Sequence, residues 1–366
     1  WMEGHDSSGP NVKTVNIIQD IQKRFPGIEV RHSSLETYAK EVFSSVNIEK
    51  LKKVKGERRS AQFDLRSGNL YGYTTSARMY LKQKNYEAEQ WLQFYAEPFN
   101  VISGILGRDI KDLYVDYSWE QIIQNSAHDS IGGCSLDAIH EDMMFRYKQS
   151  IEVSKGVFER SVKYLVNNIS TASFAKGNKI ENEIFLVVIN PNLSLRDGIA
   201  EAYVDVPFSI DLGGIKIISA DGKELEYQMI SRKQCQPVLE QMIDRPMYFN
   251  MVRYNIYLSA QNIPPLGYKT LKVVPVKAKK AVIKQALGAM QNKLENKFLK
   301  VTINKNGTFS LAVKPAGKIY TNLGYFADEG ENGHAWVHQT ALPVITTLQS
   351  NPKVKLITHG SLRNTF

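Results

Sequence analysis

Asn125-Ser126-Ala127-His128-Asp129-Ser130-Ile131-Gly132-Gly133-Cys134 interrupts two stretches of helical spacing, one ending near Gln124 and one beginning near Ser135. The glycine pair permits a tight turn in which the backbone can approach a neighbour closely. On the far side, Leu136, Ile139, Met143, Tyr147, Ile151, Phe158, Val162 and Leu165 recur at helical intervals; on the near side, Leu81, Ala88, Trp91, Leu92 and Tyr95 do the same. Such stripes predict the core of an antiparallel, three-helix-bundle-like domain. Methionine and tyrosine in a stripe could line a cofactor pocket, but packing is the simpler reading.

Working towards the N-terminus, Ser33 and Glu36 are spaced as a capping box and open the helical region, which runs to about Ser170. Before it, Val12, Val15, Ile18, Ile21 and Phe25 follow helical spacing, Pro26-Gly27 breaks it, and Ile28-Glu29-Val30 reads as a strand. This is an α/β pattern met mid-fold. It places Trp1-Met2-Glu3-Gly4-His5-Asp6 in a strand-exit loop, where α/β folds hold ligands.

Towards the C-terminus the period changes to two after Lys179. Ile184 to Ile189, Tyr203 to Val206, and Val252, Tyr254, Ile256 and Leu258 suit half-buried strands. Asn306-Gly307, between Val301-Thr302-Ile303 and Phe309-Ser310-Leu311, predicts a tight hairpin with positive φ at both corners. Pro264-Pro265-Leu266-Gly267 marks another sharp turn. Many short antiparallel strands imply a β-sandwich. The expected organisation is therefore multidomain α and β: 1–32 as the tail of an α/β domain, 33–178 as a helical bundle and 179–366 as an antiparallel β-sandwich, with the chain cut at both ends.

Bulk properties bound the function. With 366 residues, 43% of them hydrophobic, the chain can bury more than one core. No apolar run approaches the roughly 18 residues a membrane span needs, and no targeting signal is visible at Trp1. The two cysteines, Cys134 and Cys235, are too few for a disulfide framework or a thiolate zinc site, which points to a reducing, cytoplasmic setting. A net charge of +9 permits an anionic partner, but the cations are dispersed, and no nucleic-acid or membrane partner is expected. Lys277, Lys279, Lys280 and Lys284 read as a solvated linker.

Of the seven histidines, two directly precede an aspartate, as His5-Asp6 and His128-Asp129. By residue type such a pair is an ordinary surface or capping feature, and alone it cannot supply the three or four ligands zinc requires. His334 and His338 stand four residues apart, as metal ligands on a helix do, but their surroundings read as strand and loop.

From Ser118 to Tyr147 the sequence, with His128-Asp129-Ser130-Ile131-Gly132-Gly133-Cys134-Ser135 followed by His140-Glu141-Asp142-Met143, resembles the helical-domain signature of class II α-mannosidases, glycoside hydrolase family thirty-eight. Gly4-His5-Asp6, the run from Leu70 to Gln83 and Phe326-Ala327-Asp328 resemble the same family in the same order. The resemblance implies a seven-stranded α/β barrel before the bundle, and a retaining enzyme that removes terminal α-linked mannose. It implies one zinc ion with His128 among its ligands, Asp129 on sugar hydroxyls, Asp6 as general acid and base, and Tyr71 as the ring that stacks on the sugar. The remaining zinc ligands and the nucleophile are expected upstream of Trp1, so this chain alone is expected to be inactive. The family's Asp-x-Gly-Asp turn is replaced here by Glu329-Gly330-Glu331-Asn332-Gly333-His334, and no substrate contact carries over to it. The implied partner is a mannose-containing oligosaccharide; the oligomeric state stays open, a homodimer being one option. Two readings of other classes stay open as well: a non-enzymatic carbohydrate-binding module working through the β half, and a metal phosphohydrolase of the HD type.

Overall fold

In the computed structural model, residues 8–53, 55, 73–110, 112–174, 183–239, 245–278, 292–336 and 338–366 are described. His5, Asp6, Tyr71 and the basic run from Lys279 to Lys284 lie outside them. The chain divides into two units, Trp1–Arg59 and Ser60–Phe366.

The first unit carries α1 (Thr14–Arg24) and α2 (Leu35–Ser45). Ser34, not Ser33, caps α2: its extended backbone places Oγ 3.2 Å from the amide of Thr37, which donates to it. Glu36 does not reach back but pairs with Lys40, one turn on, at 2.7 Å. The expected strand at Ile28-Glu29-Val30 does not form, because no described segment of this unit offers a ladder. Instead the Ile28 amide donates to the Phe25 carbonyl at 2.9 Å, and the Gln22 side chain donates to the Val30 carbonyl at 2.9 Å.

In the second unit, α3 (Met79–Glu89) passes through a π-helical stretch, Gln90–Ala96, into α4 (Glu97–Ile105). Pro98, in the first turn of α4, lacks the N–H that an unbroken α-ladder would use, and the widened turn directly before it absorbs that loss. Then follow α5 (Leu113–Asn125), the single-turn α6 (His128–Gly132) and the long α7 (Asp137–Asn167). Leu81, Ala88, Leu92 and Ala96 meet Val115 and Ile122 of α5 and Met143, Tyr147, Ile151 and Val157 of α7 in one buried cluster. The predicted stripe departs from the buried face at both ends of α7. Leu136 precedes the helix and is 78% exposed, and Ile139 is 41% exposed while His140 takes the inward position. Phe158, Val162 and Leu165 are half-buried beside the buried Ser154, Val157 and Ser161, and on the near side Tyr95 is 39% exposed.

The β half is antiparallel. Its strands are β1 (Ile184–Asn190), β2 (Arg196–Pro207), β3 (Gly213–Ser219), β4 (Glu224–Leu225), β5 (Tyr227–Cys235), β6 (Val238–Leu239), β7 (Met247–Tyr248), β8 (Met251–Ile263) and β9 (Gly267–Lys277). After these come β10 (Lys293–Glu295), β11 (Leu299–Ile303), β12 (Phe309–Val313), β13 (Lys318–Leu323), β14 (Ala327–Asp328) and β15 (Ile345–Thr346). One sheet runs β1-β9-β3-β4 and another β2-β8-β5. The inward residues of both, among them Val204, Val206, Ile215, Ile217, Val252, Tyr254, Ile256, Leu258, Leu271 and Val273, form a shared apolar cluster. The alternation read along Val252, Tyr254, Ile256 and Leu258 is the buried face of β8. A further sheet, β10-β11-β12-β13, is a meander. Its Asn306-Gly307 turn differs from expectation: only Gly307 has positive φ, at 83°. Asn306 instead accepts the Thr308 amide through its side chain at 3.2 Å, and a five-residue loop is closed by Asn304 N–H donating to the Thr308 carbonyl at 2.8 Å.

Candidate functional site

The site is built on α6. Helix α5 stops at Asn125, Ala127 is extended, and the chain re-enters helix at His128 for one turn only. Gly133 ends that turn in the left-handed region, φ 84°. Its amide donates to the Ser130 carbonyl and the Cys134 amide to the Asp129 carbonyl, each at 3.1 Å, the paired bonds of a Schellman ending. The Gly-Gly-Cys sequence thus supplies the stop, and a one-turn helix with no stability of its own is closed by its ending.

His128 and Asp129 occupy the first turn of α6 with side chains 83% and 58% exposed. His128 Nε2 lies 3.6 Å from Asp129 Oδ1, beyond hydrogen-bond reach, so the imidazole is not committed to its neighbour. The Cys134 thiol donates to Asp129 Oδ1 at 3.2 Å, which orients that carboxylate. Partial burial, with Asp129 beside it, raises the thiol's pKa although the Trp336 side chain bonds to it, so Cys134 remains a donor.

The segment leading into α3 grips the other end of the turn. Arg78 Nε donates to the Gly133 carbonyl at 3.0 Å, and its Nη2 pairs with Asp137 Oδ1 at 2.7 Å. Lys82 Nζ donates to the Ala77 carbonyl and, at 3.2 Å, to that of Gly132. Burial lowers the Lys82 pKa. His140, at 1% exposure, lies behind these cations; its ring nitrogens have no hydrogen-bond partner among the described residues. Burial, then the Arg78 charge, depress its pKa and keep it neutral.

A loop of the β half completes the surroundings. His338 Nε2 faces Glu329 Oε1 at 2.7 Å and Nδ1 faces Glu331 Oε2. Both partners only accept, so the ring is held as imidazolium: its pKa is raised by Glu331 and then Glu329. Glu331, bonded by the Gln339 amide and then by His338, is drawn down to about 2. His338 is thereby committed to carboxylates, and the Nδ1 of His334 accepts the Trp336 amide at 3.3 Å, so this pair does not form a helical metal site.

Among the described residues no group of three or more His, Cys, Asp or Glu could hold a metal ion. His128 offers one free imidazole, and that set does not make a zinc site by itself. Of the residues singled out from sequence, the structure places His128 and Asp129 side by side; Asp6 and Tyr71 fall outside the described residues. Sequence reasoning missed Arg78, Lys82 and Cys134 as partners of the turn and Glu329, Glu331 and His338 as a cluster. Arg78 and Lys82 lie in the run from Leu70 to Gln83, but apart from Asp137 their partners are backbone carbonyls, which carry no residue-type signal.

Residues 70–165 match the α-mannosidase middle domain family. This stretch of the chain is thus similar to the middle domain of α-mannosidases. The matched stretch takes in the segment gripping α6, helices α3 to α6 and nearly all of α7. Over 99% of its length the chain is 26% identical to a protein from Halalkalibacterium halodurans named as a mannosylglycerate hydrolase, and it covers 42% of that protein. In fold it is similar to the crystal structure of an α-mannosidase from Enterococcus faecalis V583, with TM-score 0.75 and 24% identity over 95% of this chain and 40% of that one. A protein in glycosyl hydrolase family 38 from Enterococcus faecalis superposes with TM-score 0.72 and 24% identity over 98% of this chain and 42% of that one. The family resemblance read from the α6 motif is thus met again, and the relatives are glycoside hydrolases. The chain spans less than half the length of the relatives it matches. No helix among the described residues is long and apolar enough to cross a membrane.

Proposed function

We propose that this chain is part of a retaining, zinc-dependent α-mannosidase of glycoside hydrolase family thirty-eight that removes terminal α-linked mannose from oligosaccharides in the cytoplasm. The observation that carries the reading is the α6 turn, which sits inside the middle-domain match and presents an uncommitted imidazole and an oriented carboxylate side by side on a pinned backbone.

In this reading His128 is one of several zinc ligands, the others lying outside the described residues. A zinc ion held in part by His128 would supply a Lewis acid for sugar hydroxyls and would favour a distorted ring. Asp129, held by the Cys134 thiol, accepts hydrogen bonds from sugar hydroxyls and sets the orientation of the ring. Tyr71 stacks on the sugar face. Asp6 protonates the departing oxygen and later takes a proton from water, opposite a nucleophilic carboxylate at roughly 5 to 5.5 Å, as retention requires. The proposed architecture puts residues 1–32 at the end of a seven-stranded barrel and packs the β1-β9-β3-β4 and β2-β8-β5 sheets as a sandwich. The Halalkalibacterium relative's name brings in mannosylglycerate as a second substrate candidate; its α-mannosyl bond makes the same demands on these residues.

Metal content and turnover of an aryl α-mannoside and of mannosylglycerate by the full-length enzyme test the proposal. The wild type should hold one equivalent of zinc, His128→Ala should lose both metal and turnover, and Asp129→Asn should mainly raise KM. An enzyme indifferent to His128→Ala overturns the metal assignment, and mannoside binding without turnover would favour a carbohydrate-binding module instead.

A further inference from the structure

Helix α6 has five residues, too few to persist without support, yet it must hold His128 and Asp129 in fixed positions. Its last carbonyls lack helical partners and carry the negative end of the backbone dipoles. Two cations from one neighbouring segment meet them: Arg78 Nε at the Gly133 carbonyl, 3.0 Å, and Lys82 Nζ at the Gly132 carbonyl, 3.2 Å. Arg78 also spans to Asp137 at the start of α7, so one guanidinium ties both ends of the link between α6 and α7. Its backbone adopts φ 47°, a left-handed conformation that a non-glycine residue holds only when its surroundings enforce it. Lys82 is drawn from solvent to bond two carbonyls, a placement that a surface lysine serving only solubility does not need. His140, buried beside both and without a hydrogen-bond partner among the described residues, adds no third cation. Neither Arg78 nor Lys82 bonds the His128 or Asp129 side chain; both act on the backbone that carries them.

We infer that Arg78 and Lys82 are positioning residues that lock the α6 turn so that His128 and Asp129 meet metal and sugar in one fixed geometry. This rests on the function proposed above. The latch leaves the His128 and Asp129 side chains free and fixes only where their Cα atoms stand. Its effect is on metal affinity and turnover more than on global folding, which the apolar cluster of the bundle supports.

The test uses the full-length enzyme with Arg78→Met, Arg78→Lys and Lys82→Met, and His128→Ala as reference. Zinc affinity, kcat and KM on an aryl α-mannoside, and melting temperature are measured together. Arg78→Met and Lys82→Met should each lower zinc affinity and kcat/KM roughly 10- to 100-fold, the usual effect of losing an outer support of a metal ligand, with melting temperature kept. Arg78→Lys should recover only part of the loss, because one ammonium cannot span Gly133 and Asp137, and in a further variant, Arg78→Ala, millimolar ethylguanidinium should restore activity by filling the space of the missing side chain. If Arg78→Met does not fold, Lys82→Met carries the comparison. Wild-type zinc affinity and kcat/KM in folded Arg78→Met and Lys82→Met, beside a dead His128→Ala, overturn the latch and leave the proposed function standing. Losses that only follow melting temperature overturn it too. An unaffected His128→Ala overturns the proposed function itself.

Discussion

The ring of Tyr73 lies 5.4 Å from the imidazole of His338, tilted by 48°. Tyr73 opens the segment that grips α6, and His338 belongs to the β-half loop whose Trp336 bonds Cys134. The contact therefore sets a charged, three-residue cluster of the β half against the segment leading into α3, beside the turn bearing His128 and Asp129. Glu329 and Glu331 flank the ring and favour its charged form, and the Tyr73 ring packs against it at a tilt.

The cluster makes a prediction about pH. The His338 pKa is raised above the ordinary histidine value, so its contribution is complete below about 6.5 and is lost as pH rises through the folded value. Glu331 is lowered to about 2, so its share is complete above about 4.5 and is lost as pH falls towards that value. The loop should be best held between these limits. An NMR titration of the histidine ring protons should put the His338 midpoint above the ordinary value, and Glu331→Gln should lower it. A wild-type midpoint at or below the ordinary value would show that the clamp does not form in solution.

Tyr147 tests the bundle. It is fully buried among Leu81, Leu92, Met143 and Ile151, and burial pushes its phenol up to about 12. Tyr147→Ala should cost about 2 to 5 kcal/mol by denaturant unfolding, the range for large-to-small core changes. Ile139→Ala, on the exposed side of the same helix, should stay within about 0.5 kcal/mol of wild type. Equal effects at the two positions would mean that the stripe has been assigned to the wrong face of α7.

What could be read from sequence was what depends on period. The 3.6-residue stripe through Met143, Tyr147 and Ile151 and the two-residue stripe along β8 each report which side of an element meets apolar neighbours, and both are properties of the local chain. What escaped depends on partners. Ile28-Glu29-Val30 has strand composition, but a strand needs a ladder, and Gln22 takes the Val30 carbonyl instead. Ser33 and Ser34 are equivalent by type; only the backbone angles at Ser34 select the cap. In the site, the adjacency of His128 and Asp129 was legible because it is written in the chain. The latch from Arg78 and Lys82 was not, since apart from Asp137 its acceptors are carbonyls that every residue possesses.

The two glycines of the α6 turn have different jobs, and substitution separates them. Gly132 is helical, and a Cβ added there would meet Thr74 at 3.7 Å, an ordinary contact. Gly133 stands at φ 84°, where a Cβ would lie 3.2 Å from the Ala77 carbonyl and 3.4 Å from the Arg78 side chain. Gly132→Ala should therefore change stability by no more than about 0.5 kcal/mol in either direction, since the gain in helix propensity offsets small adjustments. Gly133→Ala forces an L-residue into the left-handed region at a cost of about 1 to 2 kcal/mol, before any cost of displacing Arg78. The second substitution presses on the Arg78 side chain and on the Ala77 carbonyl that Lys82 holds, so the part of its cost that comes from displacing the Arg78 bond to Gly133 should vanish when the guanidinium is already absent. A double-mutant cycle between Gly133→Ala and Arg78→Met, followed by denaturant unfolding, should show coupling of at least about 0.5 kcal/mol, as contacting residues do. Strict additivity, or a Gly132→Ala variant as damaged as Gly133→Ala, would mean that α6 is not closed through Gly133 and Arg78 in the way described.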